Sequence, residues 1–322
     1  MLYLIKEVIN MTIKRFNINE DQLRLEEFLR NQYNLNKNMT SWLPQRLEDL
    51  TYRMNTQYTF EGKPKSTDYI FIWEENNEIL GCILPDGDAI YISIKNGYEN
   101  LFQEILTYAE NNCLPLFEKK EDGSYEFTIV SNDSLTYRES ILLNNGYIKD
   151  ETQDFDNYIY PSTFECDLTL PIGFSQVYGD QYPNEINKWS ACNLGFHPDL
   201  ESEDYQNDMT PYNTRKEASM YKDSFESLII DNQTTERNNV CSYCFVYVDT
   251  KSKTAFIEPV STREKYRKRG FGKVMLHAVI KKCKELGIEK CYVNSYDWRR
   301  KFYNSVGFIT EDSITFWNKK IK

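Results

Sequence analysis

The sequence contains only two histidines, His197 and His277, in 322 residues. Imidazole is the commonest nitrogen ligand of metals in proteins, so this scarcity argues against a zinc site. Long hydrophobic runs are also missing, since no stretch approaches the roughly 20 apolar residues of a membrane-spanning helix. The apolar residues 1–5 are far too few for a secretory signal, and Glu7 soon follows them. We therefore expect a cytoplasmic protein with no membrane segment and no metal.

A positive net charge is absent as well. The chain has 38 Lys and Arg against 49 Asp and Glu, a net charge of −11. Nucleic-acid-binding proteins usually carry a basic surface, so this balance argues against that class. The charge is uneven, because residues 263–301 hold thirteen bases and four acids, whereas residues 197–231 hold nine acids and three bases. A basic segment in an acidic protein can steer a polyanionic ligand, although a solvated basic helix face has the same composition.

Eight cysteines occur in the chain. Without a secretory signal they are predicted to be reduced thiols. Cys241 and Cys244 form a single C-x-x-C pair in an apolar run. With no second pair and so few histidines, we interpret them as buried strand residues and not as zinc ligands.

The length and the order of patterns predict two tandem α/β domains. The chain is long for one such domain, and its 40% hydrophobic and 15% aromatic residues are enough to form folded cores. The first half predicts the order strand, helix, hairpin, strand, helix, strand, helix, strand, and the second half repeats a similar order. We place the domains at 1–165 and 166–322, with residues 1–10 as a possible extension upstream of the first. Residues 31–65 and 150–161 are polar, 164–170 is predicted to be a strand, and a helix is expected around 215–221.

The most informative stretch is 258–273, with the sequence EPVSTREKYRKRGFGK. An apolar run of strand character ends at Val260, a basic segment closes on Gly270-Phe271-Gly272, and a helical pattern begins at Val274. A strand, a glycine-rich turn and a helix N-terminus together form an anion site, because main-chain N–H groups point outward and the helix dipole adds about half a positive charge. The stretch therefore predicts a site for the pyrophosphate of a nucleotide-like cofactor.

Residues 267–272, RKRGFG, match the Q/R-x-x-G-x-G/A signature of the GCN5-related N-acetyltransferases, the GNAT superfamily. The chain resembles this family in motifs over about 255–308 and in the order of elements over most of its length. The resemblance implies two tandem GNAT-like domains, each a mixed, mostly antiparallel twisted sheet flanked by helices. The first domain is expected to be degenerate, because residues 94–101, IKNGYENL, contain one glycine, one cation (Lys95) and no such signature.

The resemblance implies two catalytic residues. Glu258 lies on the strand where family members carry a catalytic carboxylate, and it is the predicted general base, direct or through water. Tyr303 lies four residues before Gly307-Phe308, as does the family's tyrosine that protonates the leaving coenzyme A thiolate. From the residues alone, Glu258 could equally be an exposed strand residue, and Tyr303 could be one packing tyrosine among 24.

The resemblance also implies the contacts with coenzyme A. Main-chain groups near the strand end would hold the pantetheine arm, the turn would hold the pyrophosphate, and one side chain on the next strand could reach the cofactor. The residues that would hold the arm are Val260, Ser261 and Thr262. Those that would hold the pyrophosphate are Arg267, Lys268, Arg269, Gly270, Phe271, Gly272 and Lys273. The side chain on the next strand is Asn294. Where the family often has Asn-x-x-Ala, this chain has YDWRRK at 296–301, which leaves the contacts of Asp297 and Arg300 open. His277 is interpreted as a packing or surface residue.

These features predict an acetyl-CoA-dependent N-acetyltransferase whose second domain is active. The acidic segment 197–231 lies where the family builds its acceptor wall, so the expected acceptor is a primary amine of a cationic small molecule or a peptide. No covalent enzyme intermediate is required, since a neutral amine is itself a good nucleophile. The alternative is a non-catalytic protein that binds or senses acyl-CoA. The sequence leaves the acceptor's identity, any ligand of the first half, and the choice between monomer and homodimer open.

Overall fold

A computed structural model describes residues 11–39, 42–165, 169–200 and 208–322. The predicted upstream extension, residues 1–10, lies outside these ranges. The chain divides into two compact units. Unit 1 consists of Met1–Pro44, Tyr58–Thr152 and Ile314–Lys322, and unit 2 consists of Gln45–Gln57 and Gln153–Ser313.

The described residues form twelve strands. In chain order they are β1 (Thr12–Arg15), β2 (Phe71–Glu75), β3 (Glu78–Asp86), β4 (Ala89–Ile94), β5 (Tyr125–Asn132), β6 (Ile148–Ile159), β7 (Phe174–Tyr178), β8 (Glu226–Asp231), β9 (Val240–Asp249), β10 (Thr254–Thr262), β11 (Lys290–Tyr296) and β12 (Ile309–Ile321).

Nine α-helices accompany the strands in the described ranges. They are α1 (Ile18–Asn36), α2 (Pro44–Glu48), α3 (Asn55–Phe60), α4 (Phe102–Asn112), α5 (Tyr137–Asn144), α6 (Glu185–Phe196), α7 (Thr210–Arg215), α8 (Phe271–Glu285) and α9 (Asp297–Asn304). A π-helical turn, Asp49–Met54, connects α2 to α3. Gly287 has a φ of 71° just after α8, the left-handed conformation that commonly follows the end of a helix.

Each unit contains a sheet with the same pattern of strands. In unit 1 the order is β1-β2-β3-β4-β5-β12, and in unit 2 it is β7-β8-β9-β10-β11-β6. All neighbouring pairs are antiparallel except β4 with β5 and β10 with β11, which are parallel. The predicted fold class, two tandem GNAT-like halves with mixed, mostly antiparallel sheets flanked by helices, is therefore confirmed.

The last strand of each sheet comes from the other half of the sequence. In unit 2, residues 154–159 of β6 pair with β11, and in unit 1, residues 314–321 of β12 pair with β5. The compact units therefore differ in their bounds from the predicted domains 1–165 and 166–322, which describe sequence repeats and stay a prediction. Hydrophobic patterns report local structure and carry no information on which sheet a terminal strand joins.

Four segments differ from the local structure expected from the sequence. The polar stretch 31–65 contains α2, the π-helical turn and α3, because Leu43, Leu47 and Leu50 are buried at helical spacing. The polar stretch 150–161 lies mostly in β6, and the helix expected around 215–221 ends at Arg215. Of the predicted strand 164–170, residues 166–168 lie outside the described ranges, and its other residues are irregular.

Each unit has its own hydrophobic core. In unit 2, α8 packs its apolar face, including Met275, Leu276 and Val279, against the central strands.

The seven cysteines in the described ranges are buried free thiols, as predicted for Cys241 and Cys244. Burial raises the pKa of the Cys241 thiol to about 12, so this thiol is protonated and unreactive at neutral pH.

Candidate active site

The two parallel strands at the centre of unit 2, β10 and β11, pair over only a short stretch. Residues 254–256 pair with 290–292, although β10 continues to Thr262 and β11 to Tyr296. Each strand keeps its other neighbour, so the two separate beyond this pairing. The gap opens at the carboxyl ends of parallel strands, where α/β proteins commonly bind ligands. Its edges present main-chain groups that have no partner across the gap.

Glu258 lies at the start of this gap. The register between β9 and β10 shifts between Ile257 and Val260, so Glu258 falls in a β-bulge. It is exposed, whereas the four residues before it in the strand are buried. A bulge redirects a side chain out of the normal alternation and is frequent beside functional sites. The carboxylate predicted to be the general base is therefore accessible to a ligand in the gap.

Tyr303 is buried in α9 and is only 5% exposed. Its ring packs against Phe302 and Phe308, with centroid distances of 5.2 and 5.7 Å. Burial is the main cause that raises the pKa of its phenol well above the ordinary value, and the nearby Glu258 adds to the rise while Arg299 opposes it. Its hydroxyl forms no hydrogen bond with the described residues. The phenol is thus a neutral, protonated group close to Glu258.

The glycine-containing turn forms the N-terminus of α8. Gly270 has a φ of 83°, a left-handed conformation that a residue with a Cβ adopts only with strain. A Cβ on Gly272 would lie 2.9 Å from the Phe302 ring, so this glycine lets α9 approach α8. Within the described residues, the main-chain N–H groups from Lys268 to Gly272 have no acceptor. They are the unsatisfied donors of a helix start, as the anion-site prediction requires.

The predicted phosphate-binding cations surround this turn. Arg267, Lys268 and Arg269 are exposed, and Lys273 is half-buried. Arg267 donates to the carbonyls of Thr262 (3.2 Å) and Gly195 (2.7 Å), which fixes it against β10 and α6. Lys273 donates to the carbonyl of Ser305 at 3.2 Å. Phe271 is buried in the core, so it can meet a ligand only through its main chain.

On β10, two of the predicted pantetheine contacts, Ser261 and Thr262, already use their side-chain hydroxyls in hydrogen bonds within the protein. The hydroxyl of Ser261 donates to the Cys192 carbonyl at 2.7 Å, and that of Thr262 accepts from Ser242 at 2.9 Å. Val260 is half-buried. A ligand beside this strand would therefore meet main-chain groups, which is the role predicted for all three residues. A Cβ on Gly195 would lie 1.9 Å from the Ser261 Oγ, so this glycine is needed for α6 to pack on β10.

Asn294 does not present a free amide to the gap. It lies within β11, donates to Asp156 on β6 and accepts from Arg46 at 3.4 Å. The expectation that its side chain is free to reach a cofactor does not match this geometry, because the neighbouring strand β6 supplies a carboxylate opposite it. Farther along, Arg300 pairs with Asp297 at 3.2 Å. His277 packs on Phe164, and burial lowers its pKa to about 4.

Sequence reasoning missed the contribution of residues 45–57 to unit 2. Asp49 accepts two hydrogen bonds from Arg53, at 2.7 and 2.5 Å, and a third from Tyr247 at 2.6 Å. Burial lowers the pKa of Arg53, but Asp49 raises it above the ordinary value, with smaller contributions from Tyr247 and Glu258. Arg53 therefore lies near Glu258. Asp49 and Arg53 both lie on the π-helical turn. Such turns are rare in proteins but occur often at functional sites, and no sequence signature would have identified this one.

A second missed group is Asp154 on β6. Its Oδ1 atom is buried without a hydrogen-bond partner in the described residues. Burial raises the pKa of this carboxyl to about 6, and Arg46 opposes the rise. Asp154 lies opposite Tyr296, two residues along the same strand from the Asn294–Asp156 pair. Asp154 and Asp156 thus place two carboxyl groups beside the end of β11.

The raised pKa of Asp154 predicts how the free energy of unfolding changes with pH. The folded chain holds this proton up to about pH 6, whereas the unfolded chain loses it near its ordinary value of 3.8. The charged carboxyl therefore destabilises the fold as the pH rises through this window. We expect Asp154→Asn to raise the free energy of unfolding by about 1–2 kcal/mol at pH 7, allowing for partial exposure, and to leave it unchanged near pH 3.5. Urea denaturation at both pH values measures this, and an equal effect at both would contradict it.

The corresponding positions of unit 1 lack the predicted catalytic groups. There, β4 and β5 pair only at Ile90–Ile129 and Tyr91–Val130, so they also separate. Counting from the last pair, Ser93 takes the place of Glu258, and counting back from Gly146, Leu142 takes the place of Tyr303. Both residues are buried. Lys95 is paired with Glu78 at 2.6 Å. The strand arrangement is kept in unit 1, but the acid, the base and the basic turn are not.

No group of three or more His, Cys, Asp or Glu side chains in the described ranges could hold a metal ion. Those ranges also contain no helix whose length and apolar character would let it cross a membrane.

Comparison with known proteins agrees with this architecture. Residues 193–308 match the model of the Acetyltransferase (GNAT) family. A tandem GNAT protein from the clavulanic acid biosynthesis pathway has a similar structure, with a TM-score of 0.65, 13% identity, and coverage of 96% of this chain and 98% of that one. A GCN5-related N-acetyltransferase from Sphaerobacter thermophilus gives a TM-score of 0.63 at 10% identity, over 97% and 96% of the two chains. A GNAT acetyltransferase from Colwellia psychrerythraea gives 0.54 at 11% identity, over 96% and 100%. No curated protein matches the sequence.

Proposed function

We propose that this chain, which has a tandem GNAT fold and a GNAT acetyltransferase segment at residues 193–308, transfers an acetyl group from acetyl-CoA to a primary amine in unit 2. The observation that carries the proposal is the gap between β10 and β11. Glu258 is exposed at its start, Tyr303 lies buried close to Glu258, and the donor-rich turn at Gly270 follows β10 in the chain.

The residues around the gap fit acetyl-CoA. A pantetheine arm needs main-chain partners in an extended groove, and the unpaired edges of β10 and β11 provide them. A pyrophosphate needs several N–H donors and positive charge, and the turn supplies five donors within a basic segment. Bound there, acetyl-CoA would supply an activated acetyl thioester. Val260, Ser261 and Thr262 would hold the arm, and residues 267–273 would hold the phosphates.

Glu258 and Tyr303 have the properties that the two proton transfers require. Glu258 would accept a proton from the ammonium group of the acceptor, directly or through water, which leaves a neutral amine. The amine nitrogen then forms a bond to the thioester carbonyl carbon and releases its second proton to solvent, and the carbon–sulfur bond breaks. The sulfur takes up the phenolic proton of Tyr303, which is replaced from solvent. The products are the acetylated amine and coenzyme A, and no oxidant or metal is involved.

The carboxyl groups near the gap support a cationic acceptor. Glu258 is exposed, and the half-buried Asp154 lies beside the end of β11. The acidic segment 197–231 supports it less than its composition suggests, because Glu226 is fully buried in ion pairs and residues 201–207 lie outside the described ranges. We therefore assign acceptor recognition to β6 and β10 in place of that segment.

The proposed reaction is tested by incubating the full chain with acetyl-CoA and a panel of polyamines, amino sugars and peptide amines. Release of the free coenzyme A thiol, together with the acetylated product in a mass spectrum, is the expected result for at least one cationic amine. A protein that binds acetyl-CoA but acetylates no amine of the panel would contradict the proposal and favour the acyl-CoA sensor.

Two glycines on α8 provide a matched test of the phosphate turn. Gly270 and Gly287 stand at opposite ends of the helix, both with positive φ and with open space where a Cβ would lie. Alanine at either position should destabilise the fold by about 1 kcal/mol, since both residues adopt the left-handed conformation. Only Gly270→Ala should raise the KM for acetyl-CoA, by about tenfold, because it distorts the donors that face the phosphates. Equal KM values for the two variants would place the phosphates elsewhere.

A further inference from the structure

Unit 1 contains a cleft of about 210 Å³ at the carboxyl ends of its two parallel strands. Ile94, the last residue of β4, lines it, as do Ser134 and Leu135, which follow β5. The helix α5 begins at the cleft with Tyr137, so its positive end contributes to the field there. The cleft therefore lies where this class of sheet commonly binds ligands.

Arg138 lines the cleft and is a buried cation without a carboxylate partner. It is 4% exposed and forms no ion pair in the described part of the chain. Its Nη2 donates to the Ile92 carbonyl of β4 at 2.9 Å, and its Nε lies 3.1 Å from the Tyr137 hydroxyl. Its Nη1 has no hydrogen-bond partner there and is not sealed from solvent. A buried charge without a counter-ion is costly, so an anion in the cleft would be stabilising.

The rest of the lining favours a small polar ligand. Gln32, Asn36 and Asn96 contribute amide groups, and Asn36 and Asn96 are hydrogen-bonded to each other. Glu99 also lines the cleft without forming an ion pair with Arg138, and its carboxylate repels a dianion more strongly than a monoanion. This charge balance suits a single carboxylate better than a phosphate dianion. The volume corresponds to roughly seven water molecules, which is too small for the pantetheine and nucleotide of coenzyme A.

We propose that unit 1 binds a small hydroxycarboxylate in this cleft, with its carboxylate on Arg138 and its hydroxyl groups on the amides of Gln32, Asn36 and Asn96. The site would use the separation of β4 and β5 that unit 2 uses for its cofactor, after loss of the basic turn. It involves no residue of unit 2 and does not depend on the proposed function.

Calorimetric titration of the full chain with L-lactate, D-glycerate, inorganic phosphate and chloride at equal ionic strength tests this site. L-lactate or D-glycerate should bind once per chain with a Kd of about 1 mM or lower. Arg138→Gln should weaken that binding at least about tenfold, and Asn36→Asp, an exposed position that keeps its acceptor for Asn96, should weaken it about threefold or more by repulsion. Both variants should leave acetyl-CoA binding unchanged. If Arg138→Gln does not fold, the Asn36→Asp measurement decides.

Four results would overturn the site. The first is an absence of binding by both carboxylates, and the second is binding that neither variant weakens. The third is tighter, Arg138-dependent binding of phosphate than of either carboxylate, which would show a phosphate site. The fourth is a second acetyl-CoA per chain that is lost in Arg138→Gln, which would show that unit 1 keeps a cofactor site.

Discussion

Replacing Tyr303 by phenylalanine is expected to lower kcat for acetyl transfer by about 10²- to 10³-fold with little change in the KM for acetyl-CoA. The Tyr303 hydroxyl is a buried, protonated group close to Glu258, and without it the leaving thiolate must take its proton from water. Because this hydroxyl forms no hydrogen bond with the described residues, its removal should not lower stability. Steady-state kinetics at saturating acetyl-CoA, with a thermal melt of the same preparation, measure both effects.

Glu258→Gln is the comparison that separates the two roles. A missing base matters less when the amine is already neutral, so its activity should recover as the pH rises toward the amine pKa of about 10. The Tyr303→Phe variant should show no such recovery, since its defect lies in protonating the leaving group. If both variants acetylate amines as well as the unchanged protein does, neither residue is catalytic. If no protein acetylates amines and all bind acetyl-CoA equally, the sensor alternative holds.

The parts of this site that the sequence could predict are local. Gly270 requires a glycine because of its own φ, and Glu258 interrupts an apolar strand within a few residues of the turn. Tyr303 is located by its spacing to Gly307, which has a φ of 108° at the end of α9. Each of these signals lies within one element or one turn, where residue type and backbone geometry are directly connected.

The parts that could not be predicted depend on distant segments. Asp49 and Arg53 are followed about 200 residues later by Tyr247, which hydrogen-bonds to Asp49. Asp156 and Asn157 of β6 are buried because β11 pairs with that strand, and the sequence predicted a strand here but not this pairing. A polar residue that is satisfied by a long-range partner looks the same in the sequence as one in a solvated loop. The carboxyl groups that we propose for the acceptor side are therefore brought together only in the structure.

Glu226→Gln is expected to destabilise the protein by about 3–5 kcal/mol, since it leaves two buried cations without their counter-ion. The Glu226 carboxylate is fully buried and lies 2.7 Å from both Lys188 Nζ and Arg215 Nη2. It also accepts from the hydroxyls of Tyr243 at 2.6 Å and Tyr221 at 2.9 Å. Chemical denaturation and a thermal melt measure the loss.

An exposed ion pair elsewhere in the protein provides the control. Glu289 pairs with Lys253 at 2.9 Å, a comparable distance, but both side chains are more than half exposed. Glu289→Gln should therefore change stability by less than about 1 kcal/mol. Converting Lys188, Arg215 and Glu226 together to methionine should recover most of the stability lost in Glu226→Gln, because the cost arises from unpaired buried charge and not from lost volume. A loss of under about 1 kcal/mol in Glu226→Gln would instead show that water reaches this cluster, and Glu226 would again be a candidate for the acceptor wall.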